Sequence, residues 1–199
     1  VITTAVQHTA AATCLDFCPL HQNLIVTGSA AGELAVCDMN DPSKKTVYSF
    51  DAAKTAMAGA VPGLAAGGGG KGTQHPITSV AWNRKTAPVL TAISSSGLIT
   101  IWDLRRKCPI LSLTDSSNVA AKWRSAAWDP SDATVLVTAA DEDKNPVVLW
   151  DLRSCQMPRY FAGHTRGVWC TSWNPADPTL LVTSGKDRTL CWNPATFEI

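Results

Sequence analysis

The sequence predicts an all-β chain made of four repeated antiparallel units, and three observations carry that expectation. One phrase recurs: Leu34-Ala35-Val36-Cys37-Asp38, Ile99-Thr100-Ile101-Trp102-Asp103, Val147-Val148-Leu149-Trp150-Asp151 and Thr189-Leu190-Cys191-Trp192-Asn193. Its closing Asp or Asn falls at 38, 103, 151 and 193, giving spacings of 65, 48 and 42 residues. Apolar residues alternate in the segments before each phrase, as strands with one buried face require. Turn formers separate the segments: Cys18-Pro19, Asn83-Arg84, Asp129-Pro130 and Asn174-Pro175. A period of roughly 40–45 residues closing on Trp-Asp is that of a four-stranded propeller blade, a unit unable to bury its faces alone.

Each unit is read in the same order. A first strand ends on an aromatic: Thr13–Phe17, Ile77–Trp82, Trp123–Trp128 and Val168–Trp173. A second ends in small residues: Leu24–Ser29, Val89–Ser94, Val135–Ala140 and Leu180–Gly185. These small side chains are expected at the inner part of a blade, where sheets converge. The repeated phrase is the third strand. An outer strand follows at Thr46–Phe50, Pro109–Leu113 and Pro158–Phe161, and a fourth is expected to begin at Phe197-Glu198-Ile199. The units span about 8–51, 77–114, 119–163 and 164–199. Between the first two, residues 52–76 are rich in Ala and Gly and read as a flexible insertion, which accounts for the long first spacing.

Composition narrows the function classes. Charged residues make up 17 % of the chain, apolar residues 45 %, and eight residues are Trp, which suits a packed interior. A net charge of +1 gives no broad electrostatic pull toward nucleic acid or an anionic membrane. The apolar runs fall short of the roughly 18 residues that a membrane span needs. Seven Cys, most of them in or beside strands (Cys37, Cys108, Cys155, Cys170, Cys191), and no Asn-x-Ser/Thr sequon point to a reducing, cytoplasmic compartment. The opening Val1–Val6 resembles neither a signal peptide nor an initiator segment, so the chain is read as a fragment.

Several chemical motifs are weighed and set aside. Gly70-Lys71 resembles the end of a phosphate loop, but Ala65 and Gly72 stand where Gly and Ser or Thr are needed. Gly67-x-Gly69-x-x-Gly72 has neither a strand before it nor a helix after it. His8, Cys14, Cys18 and His21 form a loose zinc-like set, yet Cys14 and Cys18 occupy positions filled by Ser79 and Asn83 in the next unit, so ordinary repeat positions are expected. No nucleophile elbow or oxyanion hole accompanies His164, Ser184 and Asp187. The sequence therefore predicts no enzyme, no catalytic residue, no metal and no cofactor. Arg105-Arg106-Lys107 and Asp141–Lys144 fall in inter-strand loops and are read as solvated turns, with rim contacts on the two opposite faces of a disc, useful for partner choice, as the alternative. Trp169 lies out of phase with the buried pattern of Val168, Thr171 and Trp173. With Arg166 nearby, it is a candidate partner contact, since Trp and Arg are enriched in binding hot spots.

All four units resemble the WD-repeat family, through the phrases Trp102-Asp103 and Trp150-Asp151 and the Gly163-His164 pair. That resemblance implies a hydrogen-bonded structural tetrad of His164, Ser184, Asp187 and Trp192, with Cys37 departing from the Trp expected in the first unit. More particular phrases are Ala81-Trp82-Asn83-Arg84, Asp177–Asp187 and Cys191-Trp192-Asn193-Pro194. From about His8 to Ile199 these look like the amino-terminal propeller of the larger outer-coat subunit of the COPII vesicle coat. The resemblance implies a seven-bladed ring, of which about four blades are present. It also implies a non-enzymatic scaffold in transport from endoplasmic reticulum to Golgi. The implied partners are the smaller propeller subunit, inner-coat subunits and other copies of itself in a cage. Membrane association would be peripheral, through the coat, at endoplasmic reticulum exit sites and coated vesicles. Another WD-repeat adaptor, such as a ubiquitin-ligase substrate receptor, is the alternative.

Overall fold

The computed structural model describes residues 8–49, 75–115, 121–144, 146–153 and 158–199. The 52–74 part of the expected insertion, with its Gly motifs, and Cys155 lie outside the described residues. Fifteen strands form four antiparallel sheets, and among the described residues there is no helix.

The first sheet runs β1 (Ala12–Phe17), β2 (Leu24–Ser29), β3 (Glu33–Asp38) and β4 (Asp41–Ser49) in that order. The second follows with β5 (Ile77–Trp82), β6 (Val89–Ser94), β7 (Ile99–Asp103) and β8 (Cys108–Leu113). The third holds β9 (Trp123–Trp128), β10 (Val135–Ala140), β11 (Val147–Asp151) and the short β12 (Arg159–Tyr160). The last has three strands, β13 (Val168–Trp173), β14 (Leu181–Gly185) and β15 (Thr189–Trp192).

The sheets converge through their first strands: β1 lies against β5, β5 against β9, and β9 against β13. The small-residue second strands stand one place further out, in the order that the sheets themselves impose. The expected outer strand shows its first pair only: Asn193 bridges Glu198 antiparallel, as Asp103 pairs with Cys108 at the start of β8. The tail folds back, with the Asn193 N–H donating to the Glu198 carbonyl (2.8 Å) and Phe197 at φ 64°. Phe197 stacks on Phe161 of the preceding sheet at a centroid distance of 4.5 Å.

The core is three layers, each between neighbouring sheets. Trp82, Leu90 and Trp102 of the second sheet pack against Val26, Leu34 and Tyr48 of the first. Trp123, Trp128 and Trp150 close the next layer on Ile93, Ile99 and Ile101. Trp173, Leu181 and Trp192 close the last on Val137, Val147 and Phe161. Burying one such aromatic removes about 150–250 Å² from water, which supplies several kcal/mol per residue.

The Asp or Asn that ends each repeated phrase has a local cause. Its Oδ1 accepts the backbone N–H two residues on: Asn40 to Asp38 (2.9 Å), Arg105 to Asp103 (2.9 Å), Arg153 to Asp151 (3.0 Å) and Ala195 to Asn193 (3.0 Å). Each is an Asx-type turn, which explains why a short side chain with an acceptor recurs there.

Candidate functional site

Two places could carry function: a polar chain that ties each sheet together, and the edge where the first strands bulge. The polar chain is most complete in the fourth sheet. The Trp192 indole N–H donates to Thr183 Oγ1 (2.7 Å), and the Thr183 hydroxyl lies 2.7 Å from His164 Nε2. His164 Nδ1 lies 2.7 Å from Asp187 Oδ1. One direction satisfies every group: Trp donates to Thr, Thr to the imidazole Nε2, and Nδ1–H to the carboxylate. Asp187 also accepts the Thr165 backbone N–H (2.8 Å). That bond first, then the His164 contact, holds its carboxyl well below the usual carboxylate range.

The hydroxyl in this chain is Thr183, which corrects the expectation of Ser184. Trp192 pairs with Leu181 across the ladder, so Thr183, two residues on from Leu181, shares that face. Ser184 points to the other side and meets Thr189 Oγ1 at 3.3 Å. Gly163 is required for close approach, because a Cβ there would clash with Trp192 Cη2 at the edge of the indole and with Ile199.

The other sheets vary this scheme. Trp150 donates to Thr138 Oγ1 (2.8 Å), the counterpart of Thr183. In the second sheet Ala92 stands at that position, so Trp102 donates instead to Thr100 on its own strand (2.9 Å). In the first sheet sequence reasoning missed a near-complete set. His8 Nε2 lies 2.7 Å from Thr27 Oγ1, and His8 Nδ1 lies 3.3 Å from Glu33 Oε2. Glu33 also accepts the Thr9 N–H (2.9 Å), which leads the causes that lower its pKa. The signal was present: His8 precedes Thr27 by 19 residues, as His164 precedes Thr183. It was obscured by Glu in place of Asp and by Cys37 in place of Trp.

The zinc-like set is dispersed among ordinary roles. Cys18 is buried in the first core layer, Cys14 packs beside Gly28 and Ile77, and His8 joins the polar chain. Burial pushes the Cys14 thiol up, away from the thiolate that would bind metal.

At the edge, the pairing of first and second strands slips by one residue at Ala12/Cys14, Ile77/Ser79 and Val168/Cys170. The residues inside these bulges are Thr13, Thr78 and Trp169. Thr13 donates to the Ile77 carbonyl (2.5 Å) and Thr78 to the Trp123 carbonyl (3.3 Å), each on the next sheet. Trp169 occupies the equivalent place in the last sheet, on the end face that these residues leave uncovered, and is 56 % exposed there. The bulge is why it falls out of phase with Val168, Thr171 and Trp173, which are buried. Beside it Asp141 receives Lys186 and Arg124, and Asp143 accepts the Gly167 N–H (3.1 Å). The Asp141–Lys144 loop therefore ties the third sheet to the fourth instead of standing free in solvent. Arg166, two residues after His164, is exposed at the same rim.

Residues 2–157 match the family described as Nucleolar protein 10-like, N-terminal domain, a β-propeller, and residues 155–192 match the WD domain, G-beta repeat. Among curated proteins, the protein transport protein sec31 of Aspergillus oryzae is 38 % identical over 98 % of this chain. The SEC31 protein of Dictyostelium discoideum is 36 % identical over 94 % of it. The chain spans 14 % of the first relative's length and 13 % of the second's. The solved structure "COPII on membranes, outer coat vertex" superposes with a TM-score of 0.74 at 27 % identity, covering 94 % of this chain and 47 % of that one. A computationally designed protein, Ika4, shares the fold at a TM-score of 0.66 and 17 % identity. With its four fanned sheets, Trp-Asp turns and polar chains, the chain belongs to the WD-repeat β-propeller family and, within it, is similar to the Sec31 protein transport proteins.

Proposed function

We propose that these residues form part of the propeller of a Sec31-type subunit of the COPII outer coat, acting as a scaffold by protein–protein contact without chemistry. The observation that carries the reading is similarity along nearly the whole chain to both Sec31 relatives and an outer-coat vertex structure. The site geometry agrees with it. The titratable groups of the polar chains are spent on one another, which leaves them structural. The exposed pair that this reading uses is Trp169 and Arg166, an aromatic and a cation of the kind enriched in hot spots, on the end face that these residues leave uncovered. In this reading they contact a coat partner: the smaller propeller subunit, an inner-coat subunit or another copy in the cage. The protein works in the cytoplasm, at endoplasmic reticulum exit sites and on coated vesicles.

The test is affinity capture from cytosol with the full-length chain, compared with Trp169→Ala. Recovery of coat subunits supports the scaffold, and their loss with the variant, at unchanged melting temperature, supports the Trp169 contact. Recovery of nucleolar proteins without coat subunits would favour the other family that residues 2–157 match. Recovery of a ubiquitin-ligase adaptor alone would reject the coat reading. An unchanged partner set with Trp169→Ala would leave the coat reading in place and reject the contact.

A further inference from the structure

The repeat treats the gap between neighbouring sheets at one corner in three different ways. The residue after each first strand faces the loop before the next sheet's second strand. In the first sheet that residue is Cys18, which is buried with Ala87 packed against the same core layer. In the second it is Asn83, whose side-chain amide donates to the Ala133 carbonyl of the third sheet (2.8 Å). In the third it is Asp129, which makes no bond to the fourth sheet among the described residues. The equivalent carbonyl, of Pro178, accepts the Trp173 indole N–H (2.8 Å). A groove of about 480 Å³ opens at this place, lined by Asp129, Val135, Leu149, Arg159, Trp173 and Pro178 among others. That volume lies in the range of ligand pockets, about 300–1,000 Å³.

The groove lining carries four charged residues. Asp151 and Arg153 pair with each other, and Arg153 also pairs with Asp132. Asp129 on the innermost side and Arg159 on the outermost strand make no ion pair among the described residues. Asp129 accepts only Ser131 and the Asp132 N–H, all at Oδ1, and no cation pairs with it among the described residues. Arg159 sets its guanidinium 3.8 Å over the Phe197 ring, and no carboxylate among the described residues pairs with it. We infer that this groove docks an extended segment of a protein partner that places one apolar side chain between a basic and an acidic one. The apolar side chain lies on Leu149, Val135 and Trp173, the basic one meets Asp129, and the acidic one meets Arg159. This site is separate from the Trp169 rim, so its failure would leave the scaffold reading untouched.

The test uses the full-length chain and labelled, capped pentapeptides read by fluorescence polarisation. The probes are Ala-Lys-Leu-Glu-Ala, the reversed Ala-Glu-Leu-Lys-Ala, and Ala-Gln-Leu-Gln-Ala. One charged order is expected to bind about fivefold more tightly than the Gln peptide, as one or two partly exposed ion pairs allow. Asp129→Asn and Arg159→Gln are each expected to lose that margin. Asp129→Asn is also expected to hold the melting temperature, because an amide oxygen keeps the three bonds that Asp129 Oδ1 accepts. Equal binding of charged and uncharged peptides, or binding unchanged in both variants, would overturn the inference. So would concentration-dependent self-association of the full-length chain that Asp129→Asn abolishes while no peptide binds, since a second copy would then occupy the groove.

Discussion

Thr183 shows how one hydroxyl can hold a sheet. It is fully buried and serves both the Trp192 indole and His164, so removing it strands a donor and an acceptor at once. Thr183→Ala is expected to cost about 2–3 kcal/mol, and Ser184→Ala under about 0.5 kcal/mol, in urea unfolding of the full-length chain. Equal losses would reject the assignment of the chain to Thr183. Acid should act on the same groups. Asp187 and Glu33 have folded pKa values below their ordinary 3.8 and 4.5, so they bind protons more readily when unfolded. Their contribution is full above about pH 5 and is lost as pH falls through 4 toward their depressed values. Denaturation midpoints measured from pH 6 to 3 should fall across that window, and Asp187→Asn should flatten the fall. Ser184 was misplaced because two adjacent residues both carry hydroxyls. Only the ladder register, with Leu181 opposite Trp192, says which one shares the indole's face.

At the scale of the strand, alternation and turn chemistry made most elements legible, including the three second strands that begin at Leu24, Val89 and Val135. What escaped were departures from regular geometry. Bulges place Thr13, Thr78 and Trp169 out of phase, and a bulge depends on the partner strand as much as on its own residues. The tail after Trp192 reads as a strand only begun at Phe197; its first pair is Asn193 with Glu198, and Phe197 is the turn residue before it, at φ 64° and stacked on Phe161. Gly28 illustrates a demand set by the neighbouring sheet. A Cβ there would lie 2.7 Å from both Cys14 Sγ and Ile77 Cγ2, although Ala139 and Ile93 fill the same place elsewhere. Gly28→Ala is expected to destabilise by about 1–3 kcal/mol through this overpacking. A thermal melt unchanged by the substitution would show that the first two sheets can part without cost.

Across the whole molecule, the three layers between sheets leave the two end faces uncovered by these residues. Phe17 is 51 % exposed and Leu15 59 %, whereas Trp82, Trp128 and Trp173, at the Phe17 position of later sheets, are buried. A polypeptide of these 199 residues alone is expected to self-associate, with sedimentation velocity depending on concentration. Leu15→Thr with Phe17→Ser should reduce that association while leaving the layered core intact. A concentration-independent monomer with a sharp, reversible melt would contradict the expectation.

The sequence by itself determined the repeat, the strand order within each unit, the Trp-Asp turns and the family, because each depends on local periodicity or on a side chain bonding its own backbone. Only the tertiary structure decided that first strands meet at the centre, that His8, Thr27 and Glu33 mirror the fourth sheet, and that a groove lies beside Asp129 while Asn83 bonds the next sheet. Those features depend on what stands across a gap from each residue. A linear pattern of alternating apolar positions fixes which face a side chain takes, but not which residue of the next sheet it meets.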